Sequence, residues 1–359
     1  MPVAAAEGAS WEDLVNTPEI QEAARVLREG GLVAFPTETV YGLGANGLDS
    51  AAVAGIFAAK GRPADNPLIL HIADAEALVQ IAPEVPPLAR RLGQAFWPGP
   101  LTMVLPKGPA VPYVTTGGLD TVAVRMPAHP VALALLSAAG VPVAAPSANI
   151  SGRPSPTEAA HVAADLAGKV DIILDGGPTS VGVESTVLDC TGPVPVILRP
   201  GGVSKEALEE ILGEVKLDPH VQGGNEVEGP VRSPGMKYRH YAPKAPAVLI
   251  RGEPPELFQQ VTALAQKLEA QGETVGLLVS KEMLEYWRRE GVDQSRWQIA
   301  VMGSRTDAAE VAASIYRGLR ELDGTNATQI ILEGISTAGV GLAVMNRLQK
   351  AAGNRVIDV

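Results

Sequence analysis

The sequence predicts two α/β domains: a twisted open α/β sheet over residues 1–217 and a smaller doubly wound parallel sheet over residues 247–359, joined by a segment at 218–246. Three observations carry this. Short apolar runs alternate with helical patterns along most of the chain. After residue 247 the alternation becomes regular, one helix following each strand-like run, which is the pattern of a parallel sheet. Between about Leu217 and Ala247 the periodicity stops and Gly, Pro and charged residues dominate, and a span that long without pattern is a linker or a functional segment. At 359 residues, 46% hydrophobic and 19% charged, the chain can fill two cores.

The elements follow in order. Thr17 and Pro18 open a helix as cap and first-turn proline, with Ile20, Ala23, Ala24 and Leu27 on one face and Gly30–Gly31 stopping it. LVAF is the first strand. Asp49 caps a helix running to Ala59 that Gly61 ends. PLILHI reads as a buried strand, and LTMVL, TVAVR, PVALALLSAAG and VPVAA continue the alternation. A helix from Glu158, capped by Thr157, precedes DIILD, STVLD and PVILR. In the second domain VLIRG, a helix over Pro254 to Ala270, TVGLLVS, a helix over Lys281 to Glu290, QIAVMG, a helix over Ala308 to Leu322, IILEGI and a last helix and strand give a Rossmann-like order.

Polar groups concentrate just beyond the strands of the first domain, where open α/β sheets collect ligands. Gly42, Gly44 and Gly47 have the spacing G-x-G-x-x-G, which fits either a tight turn or a backbone approach to phosphate. No G-x-x-x-x-G-K-[ST] occurs, so a nucleotide is not held by a Walker-type loop. Lys60 and Arg62 either complement a helix C-terminus or face phosphate; the prolines after Arg62 and Asn66 stiffen their loop. Ser147, Asn149, Ser151 and Ser155 alternate with small residues in AAPSANISGRPSPT, either as a Ser/Pro turn or as a set converging on a polar ligand. Ser147 lies in no G-x-S-x-G elbow and has no histidine near it in sequence, which argues against a serine nucleophile.

Composition excludes several classes. The one cysteine, Cys190, precludes an intrachain disulfide and a four-cysteine metal site, and its apolar surroundings predict a buried thiol. The five histidines show no paired metal-ligand spacing. The N-terminus lacks basic residues before an apolar core and no run approaches a membrane span, so a cytoplasmic protein without membrane association is expected. A net charge of −11 without a basic stripe or interleaved aromatics counts against a dedicated nucleic-acid-binding module. A dinucleotide-dependent oxidoreductase has only the glycine spacing and the second domain in its favour.

The motifs PTETVYGLG, KGRPADNPL, WPGPLT, DTVAVRMPAHP, APSANISGRPSPT, GVESTVLD, LRPG and SPGMKYRHYAP, in this order, resemble those of the Sua5/YrdC/YwlC family, the threonylcarbamoyl-AMP synthases. The long Sua5-type members carry an additional C-terminal domain, which the remaining segment resembles. The resemblance implies a YrdC-like first domain and formation of L-threonylcarbamoyl-AMP and pyrophosphate from L-threonine, bicarbonate and ATP, with Mg2+ entering on ATP. A downstream transferase then uses the product to modify adenosine 37 of tRNA, so tRNA binding by this chain is possible but not required. The alternative is an RNA-binding protein of YrdC-like fold without adenylation activity. Carried over by motif, Lys60, Arg62, Ser147 and Asn149 are the catalytic candidates. With Asn66, Thr121, Ser155, Arg199 and Tyr241 they contact ATP, while Thr39, His71, Arg125, the Ala145 backbone and Ser185 contact L-threonine. Lys237, Tyr238, Arg239, His240 and Tyr241 are read as a lid that closes on ATP.

Overall fold

The structure is a computed structural model and describes residues 1–3, 10–222 and 241–359. It divides into two compact units, Met1–Ser151 with Ser155–Tyr238 and Gly152–Pro154 with Arg239–Val359. The lid residues Lys237 to His240 lie outside the described residues.

Ten strands form the sheet of the first unit: β1 (Val33–Phe35), β2 (Gly42–Asn46), β3 (Ile69–His71), β4 (Leu101–Pro106), β5 (Thr121–Arg125), β6 (Val143–Ala144), β7 (Ile172–Ile173), β8 (Thr186–Asp189), β9 (Val196–Arg199) and β10 (Lys216–Leu217). Their order is β10-β9-β8-β4-β5-β3-β6-β2-β1-β7, with parallel and antiparallel neighbours mixed. Because side chains alternate along each strand, the sheet has two distinct faces. Ala34, Leu43, Leu70, Met103, Val124, Ala144 and Leu188 point to one, where helices Ser50–Lys60, Pro87–Phe96, Ala159–Leu166 and Lys205–Leu212 complete the main core. On the other face, the β7-β1-β2-β6 half lies under helices Pro18–Arg28 and Pro130–Ala139. The remaining half, β3-β5-β4-β8-β9, carries a small cluster of Ile69, Ala123, Val104, Val187 and Leu198, every member on a strand. This half-face, an apolar floor with polar residues at its ends, positions the site.

Local sequence accounts for the elements. Asp49 caps Ser50–Lys60 by accepting from the Ala51 and Ala52 amides, and Gly61 ends it in the left-handed region at φ 60°. Ile20, Ala23, Ala24 and Leu27 are fully buried, as their spacing predicts. The helix from Ala159 has Glu158, not Thr157, at its N-cap position. Thr157 is one residue too early, and its amide donates to His161 Nδ1 at 3.3 Å.

The glycine reading is corrected. Gly42–Asn46 is strand β2, not a loop entering a helix. Any Cβ on Gly44 would stand 2.9 Å from Phe35 Cε1 and 2.8 Å from Val143 Cγ1. The glycines therefore let the Phe35 ring lie across β2, and its edge-on contact with His71, centroids 6.0 Å apart, braces that imidazole.

In the second unit β11 (Ala247–Arg251), β12 (Val275–Val279), β13 (Gln298–Val301), β14 (Gln329–Glu333) and β15 (Val356–Asp358) form an all-parallel sheet in the order β13-β12-β14-β11-β15. Helices Glu256–Ala270 and Lys281–Glu290 share a core with Val275, Leu277 and Val279. Gly318 of helix Ala308–Asp323 approaches Leu278 on the opposite face, so the sheet is doubly wound. The fourth strand lies between the first and second, which departs from the 3-2-1-4-5 order.

Candidate active site

Arg125, the last residue of β5, organises one end of the floor. It is paired in register with His71 on one side and Thr102 on the other. Its guanidinium is buried, with Nε donating to the Gly99 carbonyl at 3.3 Å and Nη1 to Thr39 Oγ1 at 2.9 Å. The Thr39 hydroxyl lies 2.8 Å from Thr37 Oγ1, which donates to the Val40 carbonyl at 2.7 Å. The proton order is then fixed: Arg125 donates to Thr39, Thr39 to Thr37, Thr37 to Val40. Thr39 keeps one lone pair, so it meets a ligand as an acceptor.

His71 is buried and holds Nδ1 3.2 Å from the Ile69 carbonyl. Burial, reinforced by the neighbouring Arg125 charge, pushes its pKa down to about 3. The imidazole is therefore neutral near pH 7. The Ala145 amide donates to the same Ile69 carbonyl at 2.9 Å.

Ser185 lies beside this group. Its hydroxyl is 2.7 Å from Thr102 Oγ1, and Arg199 grips it twice, Nη2 donating to Ser185 Oγ at 3.1 Å and to its carbonyl at 3.0 Å. Gly201 makes the grip possible, since any Cβ there would stand 2.2 Å from the Thr186 amide nitrogen and 2.3 Å from the Glu184 carbonyl oxygen. Ser155 donates to Glu184 Oε1 at 2.6 Å. Arg199 and Ser155 are thus bonded to Ser185 and to its chain neighbour Glu184.

A second group forms at the opposite end of the strands. Lys60 is buried and its Nζ donates to the carbonyls of Ser147 and Asn149, tying the KGRPADN loop to the SAN loop. The Asn149 side chain donates to the Ile150 carbonyl at 2.8 Å. Arg62 is half-buried and folds back on its own loop, Nη2 donating to the Pro67 carbonyl at 3.2 Å. Asn66 is fully buried, and neither side-chain polar atom has a hydrogen-bond partner among the described residues. Extending the β3–β5 register by two places sets Thr121 level with Pro67, beside Asn66. Thr121 is four residues from Arg125, roughly 13 Å along the strand. The two groups stand at opposite ends of the apolar floor, a separation about the length of an aminoacyl nucleotide.

Residues 25–201 match the family described as "Telomere recombination", and residues 203–353 match the one described as "Threonylcarbamoyl-AMP synthase, C-terminal domain". The threonylcarbamoyl-AMP synthase of Pyrococcus abyssi is 50% identical over 95% of this chain and 96% of its own length. That of Bacillus subtilis is 49% identical over 95% of each. The chain belongs to the threonylcarbamoyl-AMP synthase family. The crystal structure of Pyrococcus abyssi Sua5 complexed with L-threonine superposes with a TM-score of 0.89, covering 95% of this chain and 96% of that one.

In this member of the threonylcarbamoyl-AMP synthases, Tyr241 packs within the second unit, 5% exposed, its ring 5.4 Å from that of Tyr316 and under the Arg347 guanidinium. Three polar partners escape motif reasoning: Glu38, Glu184 and Thr102. Glu38 left a signal, a carboxylate between two threonines immediately after an apolar strand. The other two are visible only once β4 and β8 are paired.

Proposed function

We propose that the chain is an L-threonylcarbamoyladenylate synthase, using L-threonine, bicarbonate and the magnesium complex of ATP to make L-threonylcarbamoyl-AMP and pyrophosphate. The observation that carries this is the Arg125–Thr39–His71–Ser185 group at one end of the floor and the Lys60–Asn66–Ser147 group at the other.

Arg125 takes the amino-acid carboxylate, to which a guanidinium presents a matching fork. Thr39 accepts from the substrate, and neutral His71 borders it without adding charge. The amine nitrogen bonds to the bicarbonate carbon with loss of water, giving a carbamate. A carbamate oxygen then attacks the α-phosphorus, and the bond to the bridging oxygen breaks as pyrophosphate leaves. The protein's work is positioning and charge compensation by Arg62, Asn66, Thr121 and the loops that Lys60 holds, with Arg199 fixing Ser185. No protein nucleophile is needed. The product feeds a transferase that modifies adenosine 37 of tRNA, and the reaction belongs in the cytoplasm.

The test is stoichiometry. Purified protein should convert ATP to threonylcarbamoyl-AMP and pyrophosphate only when threonine and bicarbonate are both present. Release of ADP, or equal turnover without threonine, would overturn the proposal.

A further inference from the structure

We propose that Glu38 is the residue that reads the α-ammonium group of the amino-acid substrate, making Arg125 and Glu38 together a receptor for a zwitterion. This rests on the reading of the Arg125 end of the floor as the threonine site.

Glu38 follows β1, and its backbone is pinned where its carbonyl accepts from the Val181 amide at 2.7 Å. Its side chain is only 9% exposed, and that of Arg125 only 4%. Oε1 lies 2.6 Å from Arg125 Nη2, yet the pair meets outside hydrogen-bonding angles. Neither Glu38 oxygen and neither Nη2 proton has a hydrogen-bond partner among the described residues. Burying a carboxylate and a guanidinium with that much unused capacity is unfavourable unless something arrives to use it.

What it fits follows from the inventory. Arg125 has spent Nε on Gly99 and one Nη1 proton on Thr39, so the fork formed by the other Nη1 proton and Nη2 can accept a carboxylate. Glu38 beside it offers two acceptor oxygens and matches a cation of ammonium size. An amino acid carries both complementary groups on one carbon. A hydroxy acid satisfies Arg125 but brings no cation for the Glu38 carboxylate, whose ion pair with Arg125 the incoming acid must share, so Glu38 selects for the amine through which the substrate reacts.

The experiment is calorimetric titration of the full-length protein with L-threonine and with 3-hydroxybutanoate, which is threonine without its amine. Wild type should prefer L-threonine. Glu38→Gln keeps the shape and removes the charge, and it should weaken L-threonine about ten- to a hundredfold while leaving 3-hydroxybutanoate and ATP affinity unchanged. Unchanged L-threonine affinity would overturn the proposal. Equal weakening of both acids would also overturn it, showing that Glu38 serves only to hold Arg125. If wild-type protein bound no L-threonine at all, the underlying reading of the site would fall first. A thermal melt of Glu38→Gln matching wild type excludes unfolding as the cause, and Glu38→Asp, which keeps the charge, should recover part of the affinity.

Discussion

Both units bury charged residues at the ends of their strands, but they use them differently. In the first, Arg125, Glu38, Asn66 and Lys60 lie at the two ends of the β3-β5-β4-β8-β9 half-face, and polar atoms of Arg125, Glu38 and Asn66 have no hydrogen-bond partner among the described residues. In the second, Glu333 at the end of β14 is fully buried and both its oxygens accept, from the Ser280 amide at 2.6 Å and from its hydroxyl at 2.8 Å, while Arg305 Nε, 3.5 Å away, pairs with it by charge without a hydrogen bond among the described residues. Ser280 in turn caps helix Lys281–Glu290. A cluster that completes its own hydrogen bonds locks an architecture, whereas one with capacity left over awaits a ligand. The second unit does have a cavity of about 490 Å³ at the carboxyl ends of β11 and β14, lined by Arg251, Glu253, Glu256, Ser336 and Thr337 among others. Arg251 is already engaged there by Asp358.

The largest effect that tests this contrast is at Lys60, which belongs to both classes. Its Nζ completes two carbonyls, so the residue is structural as well as a proposed phosphate partner. Lys60→Met keeps the apolar stem and deletes both charge-assisted bonds, at a cost of about 3 kcal/mol. Urea unfolding should show that loss together with lost ATP turnover, and hydrogen exchange should localise it to the first unit. A variant that lost turnover at wild-type stability would make Lys60 a phosphate ligand alone.

Acid and base should separate the two clusters next. His71 falls from 6.5 to about 3 in the folded protein because of burial and Arg125. The unfolded chain then binds a proton that the folded one refuses. Its contribution is complete above pH 6.5 and is lost as pH falls toward 3. Glu333 runs the other way, raised by burial from 4.5 to about 7. Here the folded state holds the proton, so the contribution is complete below pH 4.5 and is lost as pH rises through 7. Each slope is at most about 1.4 kcal/mol per pH unit. Exchange protection in β3 and β5 should weaken on the acid side and that in β12 and β14 toward neutrality. His71→Phe and Glu333→Gln should each flatten only its own slope.

How much of this was legible in sequence depends on whether the signal was local. Asp49 and Gly61 mark a helix because a cap and a left-handed stop are properties of single residues, and the all-parallel second sheet follows from its regular alternation. The motif resemblance made Arg125, His71, Ser185 and Lys60 site candidates before any contact was known. It did not show that Lys60 spends its charge on two carbonyls, which depends on β6 lying between β2 and β3, or that Arg199 bonds to Ser185, which depends on the pairing of β8 with β9. The glycine spacing pointed to phosphate or a turn because Phe35, which occupies the missing side-chain space, is seven and nine residues away in the chain and adjacent only across β1 and β2.

The smallest effect on stability is expected at Asn66, and it is the sharpest test of unused capacity. A fully buried amide without a partner has already lost its hydration and gained nothing in the folded protein, so deleting it removes a cost instead of a bond. Asn66→Ala leaves a small void, which offsets part of that relief, and the backbone contacts of the loop remain because the Arg62 and Asn66 bonds there use main-chain groups. Unfolding free energy should therefore stay within about 0.5 kcal/mol of wild type. Nucleotide binding should weaken about tenfold, which is roughly 1.4 kcal/mol. Calorimetric titration with ATP beside urea unfolding of the same preparation reads both. A loss of stability comparable to Lys60→Met with unchanged ATP affinity would place Asn66 among the self-completing groups and erase the distinction between the two ends of the strands.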